Sequence, residues 1–424
     1  MKDEATPDAS LPSSVSNPRK VRIFISTGEV SGDLQGALLI TALYRQAQEL
    51  GIDLEILALG GDRMAQAGAT LLGHTSATGS IGLLEALPFV LPTLLMQQKA
   101  KRYLRQNPPD LVVLIDYMGP NVTIGNYLRK YLPQIPIVYY IAPQEWVWSI
   151  GPNHTTSIVH ITDLLLAVFP EEARYFQAKG AQVKWVGHPL LDRMQNPPDR
   201  GTARSLLGLQ EAETTIALLP VSRFQELKYL LPIIFEVARQ IQEKLGAVQF
   251  LIPLSLETYR QPLEQAIQRY GLNARLVTSY VPPDQPLPHQ PQTEISAPLL
   301  AIAAADLAIA KTGTVNLEIA LLGVPQVVLY RVSALTYWLG QTFLKFSIPF
   351  ASPPNLVVMR EIVPEFVQDR ATVENVLQAA LDLLLHADSR QKMQQNYQEM
   401  RQDLGEPGVC DRAAQEIFRM LPRL

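Results

Sequence analysis

The sequence has very little cysteine, and this excludes two kinds of site. Cys410 is the single cysteine among 424 residues, so the chain forms no internal disulfide and no cysteine-cluster metal site. The six histidines are scattered, without the i, i+4 spacing that zinc ligands on a helix show. Such sparse cysteine is typical of a protein from a reducing compartment.

Long apolar runs and a strong charge of one sign are also missing. No stretch reaches the roughly 18 uninterrupted apolar residues of a transmembrane helix, and the first residues lack the apolar segment of a secretory signal. The net charge of −4 gives no reason to expect a nucleic-acid partner. We therefore expect a cytoplasmic protein, with residues 1–20 as a disordered tail.

Two motifs that define other enzyme classes are absent. No Asp-X-Asp triplet occurs, which argues against a glycosyltransferase that chelates its donor through a metal ion. No Walker A pattern occurs, which excludes a P-loop ATPase. We therefore expect neither a metal ion nor a cofactor in the reaction.

What the sequence does have is a regular alternation of short apolar runs with longer helical patterns. The runs are apolar at odd and even positions alike, as in strands that are covered on both faces. Their alternation with helices predicts right-handed βαβ units and two mainly parallel sheets in an α/β fold. The predicted strands are Val21–Ser26, Asp53–Leu59, Leu111–Ile115, Ile137–Ile141, Leu164–Val168, Val183–Val186, Thr215–Leu219, Val248–Ile252, Ala274–Val277, Leu307–Ala310 and Gln326–Tyr330.

Breaks in this alternation predict the domain limits. A proline-containing break around residues 196–201 separates a domain at 21–195 from a second at 202–370. A segment rich in proline and glutamine, 282–298, predicts an exposed loop insertion. Residues 371–424 have a helical, polar-faced pattern, and we expect these helices to pack back on the first domain.

Two glycine-marked turns, one in each half, are the most informative motifs. Gly28–Asp33 follows the first apolar run, and Lys311–Glu318 follows the run Leu307–Ala310. Each predicts a strand, a tight turn and a helix start, where free backbone N–H groups suit phosphate or carboxylate. Two such turns in opposite halves predict two nucleotide-binding-type domains that face each other across a cleft.

Charged residues that follow other apolar runs are candidate reacting groups. Asp116 can act as a general base, although an aspartate at this position can also simply cap the next helix. Arg223 can hold a diphosphate in bidentate fashion or pair with Glu226 at the surface. Glu318, one turn after Thr314, suits ribose hydroxyls or is a solvated glutamate behind a helix cap.

Two apolar features suggest contact with a lipid. The largely apolar stretch Gly82–Met96 precedes the bases Lys99, Lys101, Arg102 and Arg105, which fits docking of the Gly82–Arg105 region on an anionic membrane surface. An ordinary buried helix is the alternative. Trp146 and Trp148, in a loop after a strand, can stack on sugars or acyl chains, or anchor the core.

Together these motifs resemble the lipid-A-disaccharide synthase family, glycosyltransferases with two Rossmann-like domains in the GT-B arrangement. The resemblance extends from about Val21 to the C-terminal helices. The segments that carry it are Gly28–Asp33, Ile115–Asn121, Pro143–Trp148, Val186–Leu190, Leu218–Arg223 with Glu226, Thr312–Glu318, Val327–Arg331, Pro354–Leu356 and Arg360–Phe366.

The resemblance implies a reaction, a location and a set of residues. It implies inverting, metal-independent transfer of 2,3-diacylglucosamine from its UDP derivative to 2,3-diacylglucosamine 1-phosphate, at the inner face of a bacterial inner membrane. The products are the β-1,6-linked lipid A disaccharide 1-phosphate and UDP. Asp116 matches the family's general base. The implied donor site is Arg223, Glu226, Thr312, Gly313, Thr314, Glu318, Tyr330 and Asn355. The implied acceptor site is Glu29, Ser31, Gly32, Asp33, Asn121, Trp146 and Trp148.

Three features depart from the family pattern. Gly119 stands where the family carries a second acidic residue, Val221 stands where it carries a glycine, and residues 282–298 have no counterpart. These departures leave open a related enzyme with another lipid acceptor, a UDP-sugar epimerase, and a UDP-sugar-binding protein without catalysis. A homodimer also stays open.

Overall fold

Two parallel sheets organise the molecule. The structure, a computed structural model, describes residues 20–28, 30–75, 87–147, 152–221, 224–280, 295–332 and 350–421. Within these residues the chain forms one sheet of seven strands and one of six, with helices between successive strands. The prediction of two Rossmann-like parallel sheets is thereby confirmed.

The first sheet is built from residues 20–185. Its strands are β1 (Lys20–Ser26), β2 (Asp53–Gly60), β3 (Thr70–His74), β4 (Leu111–Ile115), β5 (Ile137–Tyr140), β6 (Leu164–Ala167) and β7 (Val183–Trp185). Their order is β3-β2-β1-β4-β5-β6-β7. The helices of this half are α1 (Val30–Leu50), α2 (Asp62–Gln66), α3 (Leu87–Gln106), α4 (Met118–Tyr131), α5 (Pro152–Ile161), α6 (Pro170–Ala178) and α7 (Leu190–Arg193). Every residue of β4 is buried, because the centre of the sheet is covered on both faces.

The second sheet has the same design. Its strands are β8 (Thr214–Leu219), β9 (Val248–Pro253), β10 (Ala274–Val277), β11 (Leu307–Lys311), β12 (Gln326–Tyr330) and β13 (Glu365–Val367). Their order is β10-β9-β8-β11-β12-β13. The helices are α8 (Arg200–Leu206), α9 (Phe224–Tyr229), α10 (Leu231–Leu245), α11 (Arg260–Tyr270), α12 (Ala297–Ala303), α13 (Val315–Leu321) and α14 (Pro353–Val358), followed by α15 (Val373–Leu385), α16 (Ala387–Leu404) and α17 (Val409–Arg419). Short 3-10 turns lie at Glu257–Tyr259 and Gln368–Arg370.

Two observed strands, β3 and β13, are absent from the sequence prediction. Both are edge strands of their sheets. In β3 no residue is fully buried, and the pairing with β2 shifts between Ala58 and Leu59. β13 has only three residues. Short, partly exposed edge strands lack the continuous apolar run from which the central strands are predicted.

Each sheet has a switch point, where the chain changes the direction in which it adds strands. The switch point lies between β1 and β4 in the first sheet and between β8 and β11 in the second. Ligands of open α/β sheets bind in the crevice at the carboxyl ends of such strands. Gly28 follows β1, Asp116 follows β4, Glu226 lies in α9 after β8, and Thr312 follows β11. The candidate residues are therefore gathered at the two switch points.

The C-terminal helices divide between the two sheets. α15 packs against α10, and α16 packs against α14, both beside the second sheet. α17 returns to the first sheet, where it packs against α1 and Asp411 pairs with Arg45. The Asp192 carboxylate, in α7, accepts hydrogen bonds of 2.6–3.0 Å from the backbone N–H groups of residues 408–410 at the start of α17. The domain limits given above stay a prediction.

Two segments of the prediction fall largely outside the described residues. Residues 1–19 of the expected tail lie outside them, and Lys20 begins β1. Residues 281–294 also lie outside them. Ile295 forms an antiparallel bridge with Tyr280, and α12 begins at Ala297.

Candidate active site

Asp116 lies on a strained turn at the end of β4. Asp116 and Tyr117 both have φ of 46°, and Ile141, at the end of β5, has φ of 58°. Residues with a Cβ rarely adopt this left-handed conformation, and it persists where the surroundings enforce it. Here the Asp116 N–H donates to the Ile141 carbonyl at 2.9 Å, and the Asp116 carbonyl accepts from Tyr139 Oη at 2.8 Å and Asn121 Nδ2 at 2.7 Å. The backbone that carries this half-buried carboxylate is therefore rigidly held.

Asn121 is completely buried and joins the two strands of the switch point. Its Nδ2 donates to the carbonyls of Ile115 at 3.0 Å and Asp116 at 2.7 Å. Its Oδ1 accepts from Ser26 Oγ, at the end of β1, at 2.8 Å. The Asn121 side chain thus holds the Asp116 turn against the end of β1. An acceptor-binding role for Asn121 stays a prediction.

The loop after β1 depends on close approach at two glycines. A Cβ on Gly28 would lie 1.8 Å from the Tyr117 ring, and one on Gly32 would lie 1.8 Å from Thr27 Oγ1. Glycine therefore permits this close approach at Gly28, in the loop, and at Gly32, in the first turn of α1. Ser31, between them, is exposed, and its acceptor-binding role stays a prediction.

Asp33 is buried and holds the start of α2. Its carboxylate accepts hydrogen bonds from the backbone N–H groups of Gly61 at 2.8 Å, Met64 at 3.1 Å and Arg63 at 3.2 Å. These are the unpaired donors of a helix start, and a carboxylate there is favourable. Asp33 thereby fixes the loop after β2 relative to α1. Whether it also contacts an acceptor stays a prediction.

The loop after β5 is anchored on a buried aromatic row. The Trp146 ring lies 5.6 Å from the Phe169 ring, and Phe169 lies 5.2 Å from His188, measured between centroids. Beneath this row, the buried Glu172 carboxylate accepts from the N–H groups of Ala142 at 3.1 Å, Val168 at 2.8 Å and Phe169 at 3.2 Å. Glu172 therefore joins the ends of β5 and β6 below the loop that carries Trp146.

Two buried titratable groups, His188 in this row and Glu172 beneath it, change the stability in opposite directions as the pH changes. Burial lowers the pKa of His188 to about 4, whereas burial raises the pKa of Glu172 to about 7. His188 contributes stability above pH 6.5, and this contribution is lost as the pH falls towards 4. Glu172 contributes stability below pH 4.5, and this contribution is lost as the pH rises towards 7. Between these limits the two contributions offset each other.

Replacing His188 by asparagine is expected to make the contribution of Glu172 to the pH dependence of stability measurable by itself. Asparagine Oδ1 can keep the hydrogen bond that His188 Nδ1 accepts from the Leu190 N–H at 3.2 Å, but it cannot be protonated. Relative to the native protein, the variant's free energy of unfolding should rise by about 2 kcal/mol when the pH is lowered from about 6.5 to 5. Urea denaturation at both pH values measures this difference. Parallel pH profiles for the two proteins would contradict the assignment.

The polar groups at the start of the turn after β11 are hydrogen-bonded within the protein. The Thr312 N–H donates to the Leu329 carbonyl at 2.9 Å, and the Gly313 N–H donates to Asn316 Oδ1 at 2.8 Å. Thr312 Oγ1 donates to the Ala351 carbonyl at 2.6 Å. Free backbone N–H groups are predicted in this turn, but those of Thr312 and Gly313 are engaged within the protein. Thr314 is exposed at the start of α13.

A lysine that the sequence analysis leaves without a role lies beside this turn. Lys311 Nζ is 3.5 Å from Glu226 Oε1 and 3.2 Å from the Thr312 carbonyl oxygen. The two charged side chains are only 13% and 14% exposed. A cation that ends an otherwise apolar strand, directly before a glycine turn, is the pattern that points to it.

Glu318 is held by an arginine from the first half of the chain. Its Oε1 accepts from the Arg193 guanidinium at 2.6 Å, and Arg193 also donates to Ser296 Oγ at 3.2 Å. Burial raises the pKa of the Glu318 carboxyl, against the opposing effects of Arg193 and, more weakly, Arg63. Arg193 lies in α7 and Arg63 in α2, so the carboxyl ends of the two sheets face each other. No motif in the sequence predicts this ion pair.

Asn355 and Tyr330 lie on the far side of the same edge. Asn355 is completely buried, and its Oδ1 accepts from the N–H groups of Ile362 at 2.7 Å and Val363 at 2.9 Å. Its Nδ2 donates to Glu365 Oε2 at 3.0 Å. Asn355 thus shapes the loop before β13. Tyr330 is the half-buried last residue of β12. Direct contacts of both residues with a donor stay a prediction.

Three of the predicted site residues fall outside the ranges given above. Glu29, Trp148 and Arg223 lie outside the described residues. Of the three departures from the family pattern, Gly119 is exposed in the first turn of α4, and Val221 is half-buried against the core. Within the described ranges, no three His, Cys, Asp or Glu side chains are grouped as metal ligands require. None of the helices in the same ranges combines the length and the apolar character needed to cross a bilayer.

Chains of known structure share this architecture. The S. aureus MnaA–UDP complex covers 94% of this chain and 96% of its own, with a TM-score of 0.62 at 13% identity. UDP-GlcNAc 2-epimerase from Neisseria meningitidis, bound to UDP-GlcNAc, covers 95% and 99%, with a TM-score of 0.60 at 13% identity. At this level of identity the likeness shows the fold alone, and the predicted GT-B fold is confirmed.

Sequence comparison identifies the family. A family model described as Lipid-A-disaccharide synthetase matches residues 23–419. The lipid-A-disaccharide synthase of Gloeothece citriformis is 60% identical over 398 residues, which are 94% of this chain and 99% of that protein. The lipid-A-disaccharide synthase of Synechocystis sp. is 55% identical, over 94% and 97% of the two chains. The resemblance seen in the motifs is confirmed, and this chain belongs to the lipid-A-disaccharide synthase family of glycosyltransferases.

Proposed function

We propose that this protein transfers 2,3-diacylglucosamine from its UDP derivative to 2,3-diacylglucosamine 1-phosphate, forming the β-1,6-linked lipid A disaccharide 1-phosphate and UDP. Membership of the family supports the reaction and its substrates. The observation that carries the mechanism is the placement of charged groups on the two facing edges. Asp116 lies at the switch point of the first sheet, and Glu226, Lys311 and Glu318 lie at that of the second.

Asp116 is the proposed general base. Its carboxylate removes the proton of the acceptor 6-hydroxyl as that oxygen bonds to the anomeric carbon of the donor sugar. The bond from this carbon to the diphosphate breaks, and its electron pair leaves with UDP. Attack opposite the leaving group inverts the configuration at the carbon. The strained turn supports this role, because it holds the base in one position against the acceptor.

The donor is proposed to bind at the second sheet without a metal ion. Cationic side chains offset the charge that develops on the departing diphosphate, and Arg223 is proposed from the sequence motif. Glu318 is proposed to accept hydrogen bonds from the ribose hydroxyls. Burial raises the pKa of its carboxyl, and the ion pair with Arg193 opposes this shift and so favours the ionised form that the role needs. Thr312, Gly313, Thr314, Glu226, Tyr330 and Asn355 complete the proposed donor site.

The acceptor is proposed to bind at the first sheet. Ser31, in the first turn of α1, and Trp146, in the loop after β5, lie at its carboxyl edge, and Glu29 and Trp148 are assigned from the sequence alone. Gly32, Asp33 and Asn121 complete the proposed site. The hydrogen bonds of Asp33 and Asn121 support a role in shaping it, since both side chains are engaged within the protein.

We propose that α3 docks on the inner face of the bacterial inner membrane. Leu91, Leu94 and Leu95 lie on one face of this helix and are 64%, 49% and 57% exposed. Lys99, Lys101, Arg102 and Arg105 follow them on the same helix. Exposed leucines next to bases fit the acyl boundary and the anionic headgroups of a bilayer. Residues 82–86 of the predicted Gly82–Arg105 region lie outside the described residues, and a homodimer stays a prediction.

Replacing Leu91, Leu94 and Leu95 together by serine is expected to reduce membrane binding. Loss of the inserted apolar surface should lower the fraction that floats with phosphatidylglycerol vesicles by at least about tenfold. Leu385→Ser is the matched control, because Leu385 is 58% exposed in α15, outside the proposed surface. Equal flotation of the triple variant and the control would contradict the assignment.

Release of UDP by the purified protein tests the reaction itself. The protein is incubated with UDP-2,3-diacylglucosamine, with and without diacylglucosamine 1-phosphate, and the lipid products are identified by mass spectrometry. UDP release that depends on the acceptor, together with a disaccharide mass, is the expected result. Bound donor without any disaccharide would instead support a non-catalytic UDP-sugar-binding protein, and an isomerised UDP-sugar would support an epimerase.

A further inference from the structure

We infer that Lys311 binds the diphosphate of the donor nucleotide, and that Glu226 holds this lysine in position when the nucleotide is absent. The inference rests on the proposed function, because it takes a UDP-sugar as the ligand of the second sheet. It adds a cation to the donor site that the motifs do not assign.

The position of Lys311 is the first support. It is the last residue of β11, on one side of the crevice between β8 and β11, and Glu226 reaches it from α9 on the other side. The switch-point crevice is where ligands of such sheets bind. The charge of a lysine side chain that is only 13% exposed must be compensated, and here Glu226 Oε1 at 3.5 Å and the Thr312 carbonyl at 3.2 Å do so.

The glycine of the turn is the second support. A Cβ on Gly313 would lie 3.1 Å from Lys311 Nζ, so a side chain at this position would crowd the ammonium group. The turn itself offers little to an anion at Thr312 and Gly313, because both N–H groups are already bonded. A diphosphate in this crevice therefore needs a side-chain cation, and a lysine ammonium binds phosphate as a compact point charge.

The negative charge of Glu226 explains why this carboxylate is paired with Lys311 in the crevice. A carboxylate next to a diphosphate is repulsive unless a cation lies with it. A diphosphate carries more negative charge than one carboxylate, so the ammonium group is drawn towards the nucleotide when it binds. Glu226 is then a positioning residue, which keeps Lys311 at the crevice in the empty protein.

Calorimetric titration of the full-length protein with UDP and with uridine tests the inference. Lys311→Met keeps the length of the side chain and removes its charge. We expect this variant to bind UDP about 10- to 100-fold more weakly, and to bind uridine, which lacks phosphate, with unchanged affinity. In a Glu226→Gln background the same substitution should weaken UDP binding less, because the repulsion between the Glu226 carboxylate and the diphosphate is then absent.

The outcomes separate this inference from the proposed function. Unchanged UDP affinity in Lys311→Met would overturn the inference. So would an equal loss of UDP and uridine affinity, because the lysine would then act on the shape of the site and not on the diphosphate. A native protein that binds neither UDP nor uridine would refute the proposed donor site as well.

Discussion

Asp116→Asn is expected to lower the turnover number for disaccharide formation by at least about 100-fold, the scale on which a general base contributes. Asparagine has nearly the same shape, but it cannot take up the proton of the acceptor hydroxyl. The backbone bonds of the Asp116 turn do not involve its side chain, so the variant should keep the turn. Steady-state rates of UDP release, with both substrates saturating, measure the effect.

Asp110→Asn is the matched control for this prediction. Asp110 lies just before the same strand, at its amino end, and its Oδ2 accepts from the Arg22 N–H at 2.8 Å. Asparagine can keep that hydrogen bond, so turnover should stay close to the native value. UDP affinity should be unchanged in both variants. Native turnover in Asp116→Asn would show that Asp116 is not the general base.

Arg204→Met is expected to lower the free energy of unfolding by about 3–5 kcal/mol, the scale seen when a buried, hydrogen-bonded charge network is broken. Arg204 lies in α8 and is 1% exposed. Its guanidinium donates to the carbonyls of Ala304 at 2.9 Å and Glu213 at 2.6 Å, and to Thr215 Oγ1 at 3.2 Å. Methionine fills much of the space but donates none of these hydrogen bonds, although the Glu213 carbonyl keeps one from Thr215 Oγ1 at 3.1 Å.

Arg239→Met is the control for the stability prediction. Arg239 pairs with Glu236 and Glu243 along the surface of α10. Surface ion pairs of this kind contribute little, so this variant should lose no more than about 1 kcal/mol. Urea denaturation of both variants measures the contrast. Equal losses would mean that the buried network of Arg204 does not stabilise the second half of the chain.

The central strands could be predicted from sequence for a simple physical reason. Strands buried on both faces are continuous apolar runs, and the run Leu111–Ile115 coincides with the buried strand β4. The edge strands Thr70–His74 and Glu365–Val367 are partly exposed and short, so their composition does not distinguish them from loops. The switch points were not predicted, because they depend on the spatial order of the strands within each sheet, which only the structure shows.

The roles of the polar residues were harder to predict, because they depend on distant partners. Asn121 is bonded to Ser26, 95 positions away, and Asp33 is bonded to Gly61, 28 positions away. A single sequence shows the motif that contains each residue but not the group that it contacts. For the same reason Arg193, the partner of Glu318 from 125 positions away, carried no signal in the sequence.

The return of α17 to the first sheet gives the molecule a hinge with two chain crossings. The crossings lie side by side, since the His188 N–H donates to the Leu404 carbonyl at 2.9 Å and the Arg412 guanidinium donates to the Val186 carbonyl at 2.8 Å. Two crossings that lie side by side favour hinge rotation of one half of the molecule about the line of the crossings, and they oppose shear of one half past the other. We expect an opening of the cleft about these two crossings to move Arg193, in α7, away from Glu318, in α13. Entry of the donor would then break the ion pair that holds its proposed ribose ligand, Glu318.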